Sequence, residues 1–130
     1  VRAEALPADM ATRLSNRVAV TPEASPATSG GAERVADVPI YFSDPIVRRS
    51  PPLQATRAAQ PPRARANART LEAFKVAAGD KVRARQGEAS ALLEVALDDT
   101  LPDAVVHLSA APESVATLGS MFGPITLERA

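Results

Sequence analysis

A glycine turn followed at once by strict alternation of apolar and charged residues, Gly79-Asp80-Lys81-Val82-Arg83-Ala84-Arg85, leaves this stretch few ways to fold. Gly79 supplies the positive φ that a residue with a Cβ avoids, and Asp80 can accept from nearby backbone N–H groups as the chain reverses. Val82 and Ala84 then face one side of a strand, and Lys81, Arg83 and Arg85 the other. A second turn at Gln86-Gly87-Glu88 returns the chain into Leu92-Leu93-Glu94-Val95-Ala96-Leu97, which has strand character of its own. The local expectation is a β-hairpin.

The remaining segments read as short elements separated by strong turns. Val38-Pro39-Ile40-Tyr41-Phe42-Ser43 is apolar and β-rich, with a proline placed to suit a first or edge strand, and the domain is expected to begin there. Residues 1–37 carry Pro7, Pro22, Pro26, Gly30 and Gly31 among many Ala, Ser and Thr, and are expected to form a disordered linker whose only strand-like island is Arg17-Val18-Ala19-Val20. The start at Val1 rather than Met suggests a piece of a longer polypeptide. Ser43-Asp44-Pro45 is a turn, Pro51 to Ala55 a helical turn, and Thr56 to Pro62 a loop ended by a Pro-Pro pair. Arg63-Ala64-Arg65-Ala66 is a short strand, and Asn67 an N-cap for a helix running to about Lys75 that packs through Leu71 and Phe74, with Gly79 just beyond its exit. Further strands are expected at Val105 to Leu108 and Pro124 to Glu128, with a short helix at Glu113 to Leu118. Many short strands, two or three short helices and frequent turns make a mainly β fold, a small closed or half-closed barrel.

Composition limits both core and chemistry. Aromatic residues make up 3% of the chain and there is no Trp, so the core is aliphatic, with Tyr41, Phe42, Phe74 and Phe122 expected as its few large anchors. Cysteine is absent, which excludes disulfides, thiolate zinc and iron-sulfur ligation by these residues. No apolar run approaches the roughly 20 residues of a spanning helix, so a soluble domain without membrane insertion is expected. Net charge is zero, but its signs are segregated: from Arg48 to Arg85 the only acids are Glu72 and Asp80, whereas from Gln86 to Glu113 there is no Lys or Arg. Cross-strand pairing of the two regions is expected, each pair contributing about 0.2–1 kcal/mol. The arginines lack the aromatic interleaving of a nucleic-acid surface, which favours a solvated or subunit-facing basic face and no nucleic-acid partner.

Candidate chemistry is sparse. His107, the only histidine, sits between Val106 and Leu108 without ligand partners at suitable spacing, and reads as structural. Asp98, Asp99 and Asp103 lack the glycine and glutamate of a calcium loop and read as a solvated turn. None of Ser43, Ser50, Ser109 and Ser114 lies in a nucleophile elbow, so no catalytic residue is assigned. Arg48-Arg49-Ser50 is the best remaining constellation, since two guanidiniums and a hydroxyl beside a turn can grip phosphate. The plainer reading has one arginine pairing with a carboxylate while the other faces solvent or a neighbouring subunit.

Read together, Val47-Arg48-Arg49-Ser50-Pro51, Asn67 through Leu71, Val76-Ala77-Ala78-Gly79-Asp80-Lys81-Val82, Gln86-Gly87-Glu88 and Leu101-Pro102-Asp103-Ala104-Val105-Val106 resemble the C-terminal dinucleotide-binding domain of molybdopterin oxidoreductases. That resemblance implies a double-psi β-barrel over residues 38–130. The flanks, Ala36-Asp37-Val38-Pro39-Ile40-Tyr41 and Leu118-Gly119-Ser120-Met121-Phe122-Gly123-Pro124-Ile125-Thr126, are similar to the C-terminus of the large iron-sulfur subunit of bacterial NADH-quinone oxidoreductase, respiratory complex I. By that likeness the domain is non-catalytic and holds no cofactor, with iron-sulfur clusters in upstream parts of the parent chain. Its partners would be other subunits of the peripheral arm, on the cytoplasmic side of the bacterial inner membrane. Catalytic relatives hold a guanine dinucleotide with a glycine-arginine turn after the first strand. Here Ser43-Asp44-Pro45 stands instead, and an aspartate would repel a pyrophosphate. Any vestige of that site would be lined by Ser43, Asp44, Arg48, Arg49 and Ser50; the alternative implied by the resemblance is a module that still binds molybdopterin guanine dinucleotide.

Overall fold

The computed structural model describes residues 31–130. Residues 1–30 of the linker expected over residues 1–37, with its Arg17 to Val20 island, lie outside the described residues. In chain order the elements are β1 (Ala32–Val35), α1 (Ile40–Ser43), α2 (Pro51–Gln54), β2 (Arg63–Ala66), α3 (Ala68–Ala73), β3 (Lys81–Gln86), β4 (Ala89–Leu97), β5 (Val105–His107) and β6 (Phe122–Arg129). Single 3-10 turns occupy Val47–Arg49, Arg57–Ala59 and Glu113–Val115.

The six strands close into a barrel in the order β1-β5-β2-β4-β3-β6. β1 runs parallel to β5, with Glu33 opposite Val105, and antiparallel to β6, with Ala32 opposite Ile125. β2 runs parallel to β4, with Ala64 opposite Val95, and meets β5 antiparallel where Arg65 faces His107. β3 is antiparallel to both its neighbours, placing Val82 opposite Leu93 and Ala84 opposite Leu127. Closure leaves no sheet edge within this ring.

Inward positions follow the period of two. Val82 and Ala84 on β3, Ala91, Leu93 and Val95 on β4, and Ile125 and Leu127 on β6 are buried, and their intervening neighbours are mostly exposed. Small residues dominate where strands crowd: Ala32, Ala64, Ala66 and Ala84 are all inside. A ring of eight strands already leaves an interior just wide enough for side chains, so six strands leave less. The same narrowness explains why the expected aromatic anchors do not anchor. Phe122 is exposed, Tyr41 and Phe42 are half-buried outside the core, and Phe74 packs only against its margin.

The hairpin forms as its turns dictate. Gly79 has φ +91° and donates to the Val95 carbonyl at 2.9 Å, while the Asp80 carboxylate accepts from Ala77 N–H at 2.9 Å. Gly87 takes φ +59° at the first central position of the two-residue turn between β3 and β4, where such hairpins need a residue without a Cβ. α3 starts as read: the Asn67 side chain accepts from Thr70 N–H at 2.8 Å. It ends earlier than read, because Lys75 rather than Gly79 takes the left-handed position, with φ +57°, and Val76 N–H reaches back to the Leu71 carbonyl.

Two expectations at the start of the domain are corrected. The barrel begins at β1, Ala32–Val35, within the stretch assigned to the linker and ahead of the expected start at Val38. Its four residues include two charges, which hide the strand; Glu33 faces out and Arg34 in. The segment expected as the first strand, Val38 to Ser43, instead contains the helical turn α1. Pro39, with φ −63°, suits a helix start, and Asp44 N–H bonds the Ile40 carbonyl. β1 already occupies the place between β5 and β6, leaving no ladder for this segment to join.

Arg34 is fully buried and donates to four neutral acceptor contacts. Nη1 reaches Gln86 Oε1 at 2.8 Å and the Ser120 carbonyl at 3.0 Å, and Nε and Nη2 both reach the Leu108 carbonyl at 3.4 Å. Burial lowers the guanidinium from its ordinary pKa, yet arginine remains protonated.

Candidate functional site

The five residues expected to line a vestigial phosphate site form one local knot between α1 and α2. Ser43 Oγ donates to the Pro39 carbonyl at 3.0 Å. Asp44 Oδ1 accepts from the backbone N–H groups of Ile46 and Val47, each at 2.8 Å, and so fastens the 3-10 turn that follows. Ser50 precedes α2 without a side-chain capping bond, while Gln54 Nε2 ties the knot through the carbonyls of Tyr41, at 2.9 Å, and Val47, at 3.1 Å. Arg48 and Arg49 are exposed, and neither lies within salt-bridge distance of a carboxylate among the described residues. None of these five residues lines either of the two clefts described below.

The acidic turn is used structurally. Asp99 accepts from Ala68 N–H at 3.1 Å at the start of α3, and Asp103 holds Arg69 at 2.7 Å and Asn67 at 2.8 Å. Asp98 accepts from the Thr100 hydroxyl and N–H, which hold its carboxyl below the ordinary carboxylate range, with the positive charge of Arg65 acting in the same direction. Arg65 Nη2 lies 2.6 Å from Asp98, and Arg63 Nη2 lies 3.4 Å from Glu94, so β2 and β4 carry the expected pairing of the basic and acidic regions. Among the described residues no group of three or more His, Asp or Glu side chains could hold a metal ion.

A cleft of about 440 Å³ opens on the outside of the barrel, between β2, β5 and the chain on either side of α1. Arg57, Arg63, Arg65 and His107 give it a basic wall, and Pro39, Phe42, Pro61, Pro62 and Pro112 an apolar one. The register that sets Arg65 against His107 creates this wall. At its rim, Asp37 Oδ1 accepts from Ser109 Oγ at 2.7 Å and lies 3.3 Å from His107 Nε2. His107 Nδ1 is buried without a hydrogen-bond partner among the described residues. A serine, a histidine and an aspartate therefore meet here, but the hydroxyl donates to the carboxylate rather than to the imidazole. The imidazole is not placed to take the serine proton, so the group does not form an activated nucleophile.

The outward arginines of β2 were legible from the alternation Arg63-Ala64-Arg65-Ala66; their meeting with His107 was not, because it depends on strand order. A second cleft of about 440 Å³ lies where β1 approaches α3, beside Phe74, Thr70 and the Arg69–Asp103 pair. No helix among the described residues is long and apolar enough to cross a membrane. Neither a scan of protein-family models nor a search of curated proteins returns a match to this chain.

Proposed function

We propose that this chain supplies a non-catalytic interaction domain, a double-psi β-barrel like the C-terminal domain of the large iron-sulfur subunit of bacterial NADH-quinone oxidoreductase. In that setting the parent complex passes electrons from NADH to quinone through clusters held upstream, and the barrel helps hold the peripheral arm together on the cytoplasmic side of the inner membrane. The observation that carries this reading is the state of Asp44. Its carboxylate occupies the N–H groups of Ile46 and Val47, in the segment that the sequence resemblance matched to a pyrophosphate turn, although this segment follows α1 and not the first strand. An anion there would meet a fixed negative charge in place of free donors. The serine hydroxyl aimed at Asp37 instead of His107 supports the non-catalytic part of the reading. Deleting residues 31–130 from the parent chain should lower the yield of intact peripheral arm while leaving the spectra of the upstream clusters unchanged. A full yield of arm without the barrel would overturn the proposal.

The basic wall of the cleft favours one second reading, a module that retains a molybdopterin guanine dinucleotide. Titration with GDP, followed by backbone amide shifts, separates the two. Saturable shifts over Ser43 to Ser50, or over Arg57 to Arg65 and His107, support the cofactor module, and their absence from both removes it.

A further inference from the structure

We propose that the cleft between β2, β5 and α1 is a docking groove for an extended acidic segment of a partner protein, with apolar residues alternating between its carboxylates. This rests on the reading of the barrel as an interaction domain and specifies the chemistry of its partner.

Charge fixes the sign of the occupant. Arg57, Arg63 and Arg65 border the groove, and Asp37, its one acidic lining residue, already accepts from Ser109 and faces His107. Arg63 and Arg65 reach Glu94 on β4 and Asp98 just beyond it, but their side chains remain 52% and 51% exposed. Each guanidinium has five donors, so one such contact leaves others for an incoming anion. Arg57 has no carboxylate within salt-bridge distance among the described residues.

Geometry selects a peptide over a nucleotide. Arg63 and Arg65 project from alternate positions of one strand, about 6.5–7 Å apart along it. Carboxylates at alternate positions of an extended peptide repeat at that same interval. Guanidiniums also grip phosphate, but a pyrophosphate site adds converging backbone N–H groups, as in a nest or at a helix start. Pro39, Pro61, Pro62 and Pro112 have no N–H to offer. These prolines and Phe42 give the groove a stiff apolar part of its lining, which suits the intervening side chains and limits the ordering cost of binding. β2 is paired on both sides, by β4 and β5, so docking must work through side chains rather than by adding a strand.

The test titrates the 130-residue chain with an acetylated hexapeptide of alternating glutamate and leucine, following backbone amide shifts. The lysine-leucine counterpart and GDP serve as controls. Saturable shifts confined to the groove, around Asp37, Phe42, Arg57 to Arg65 and His107 to Ser109, are expected from the acidic peptide alone. Arg63→Ala with Arg65→Ala should weaken binding about tenfold, the loss of two half-exposed charge contacts. Arg57→Ala, on an exposed turn with no ion pair to break among the described residues, should also weaken it if the double variant fails to fold. Arg83→Ala, on the outside of β3, should leave affinity unchanged. No saturable groove shifts, equal weakening by Arg83→Ala, or groove shifts from GDP but not from the peptide would each overturn the docking proposal. An arm that still needs the barrel despite such a result would leave the interaction-domain reading standing, so the two failures are distinguishable.

Discussion

Arg34 sits where a cation is expensive, inside a barrel lined by alanine, valine and leucine, and its neighbours offer only neutral oxygens. Those bonds reach residues from three other parts of the fold: the end of β3, the residue after β5 and the loop before β6. The side chain thus works as a central tie at one end of the barrel. Its removal both opens space and strands the buried Leu108 carbonyl, worth about 1–3 kcal/mol when left unpaired, whereas the Ser120 carbonyl keeps its bond from Gln86 Nε2. Arg34→Ala is therefore expected to lower unfolding free energy by about 3–5 kcal/mol in urea titrations. Arg34→Met keeps most of the volume and should cost clearly less. No local pattern in Ala32-Glu33-Arg34-Val35 announces this role. A lone arginine in a four-residue stretch reads as solvated until closure turns it inward.

At the scale of elements, local chemistry was legible and ladder membership was not. The β3–β4 hairpin, the Asn67 cap and the strand at β2 all follow from residues within a few positions of one another. β1 and α1 exchanged their expected roles because apolar, β-rich composition favoured Val38 to Ser43. Val38 and Ile40 are in fact 52% and 58% exposed, so their hydrophobicity does not report a core position. What makes β1 a strand is the pair of vacant ladders beside β5 and β6, a property of residues far along the chain. Removing β1 should thus be decisive where removing the preceding residues is not. Residues 31–130 are expected to give dispersed amide spectra and a cooperative melt; residues 38–130 should give neither, although that fragment begins at the expected boundary, Val38. A cooperative melt from the shorter fragment would show that the barrel closes without β1.

The candidate site follows the same division at the scale of the whole molecule. Ser43, Asp44, Arg48, Arg49 and Ser50 are neighbours in sequence and remain neighbours in space, yet they make a self-satisfied turn rather than a receptor. The basic cleft gathers Asp37, Arg57, Arg65 and His107 from four separate parts of the chain, and only the closed ring brings them together. The order of strands around that ring also has a consequence for biosynthesis. Of the six barrel strands β1 emerges from the ribosome first, but its two partners are β5 and β6, the last two of the six to be made. At ordinary translation rates the interval between Val35 and Arg129 is on the order of 5–20 s. Throughout it the β3–β4 hairpin can form from its own turn, while β1 waits with its arginine in water and both its ladders open. The barrel is thus closed by its oldest strand at nearly the last moment, and the nascent chain must be kept from pairing that strand with anything else in the meantime.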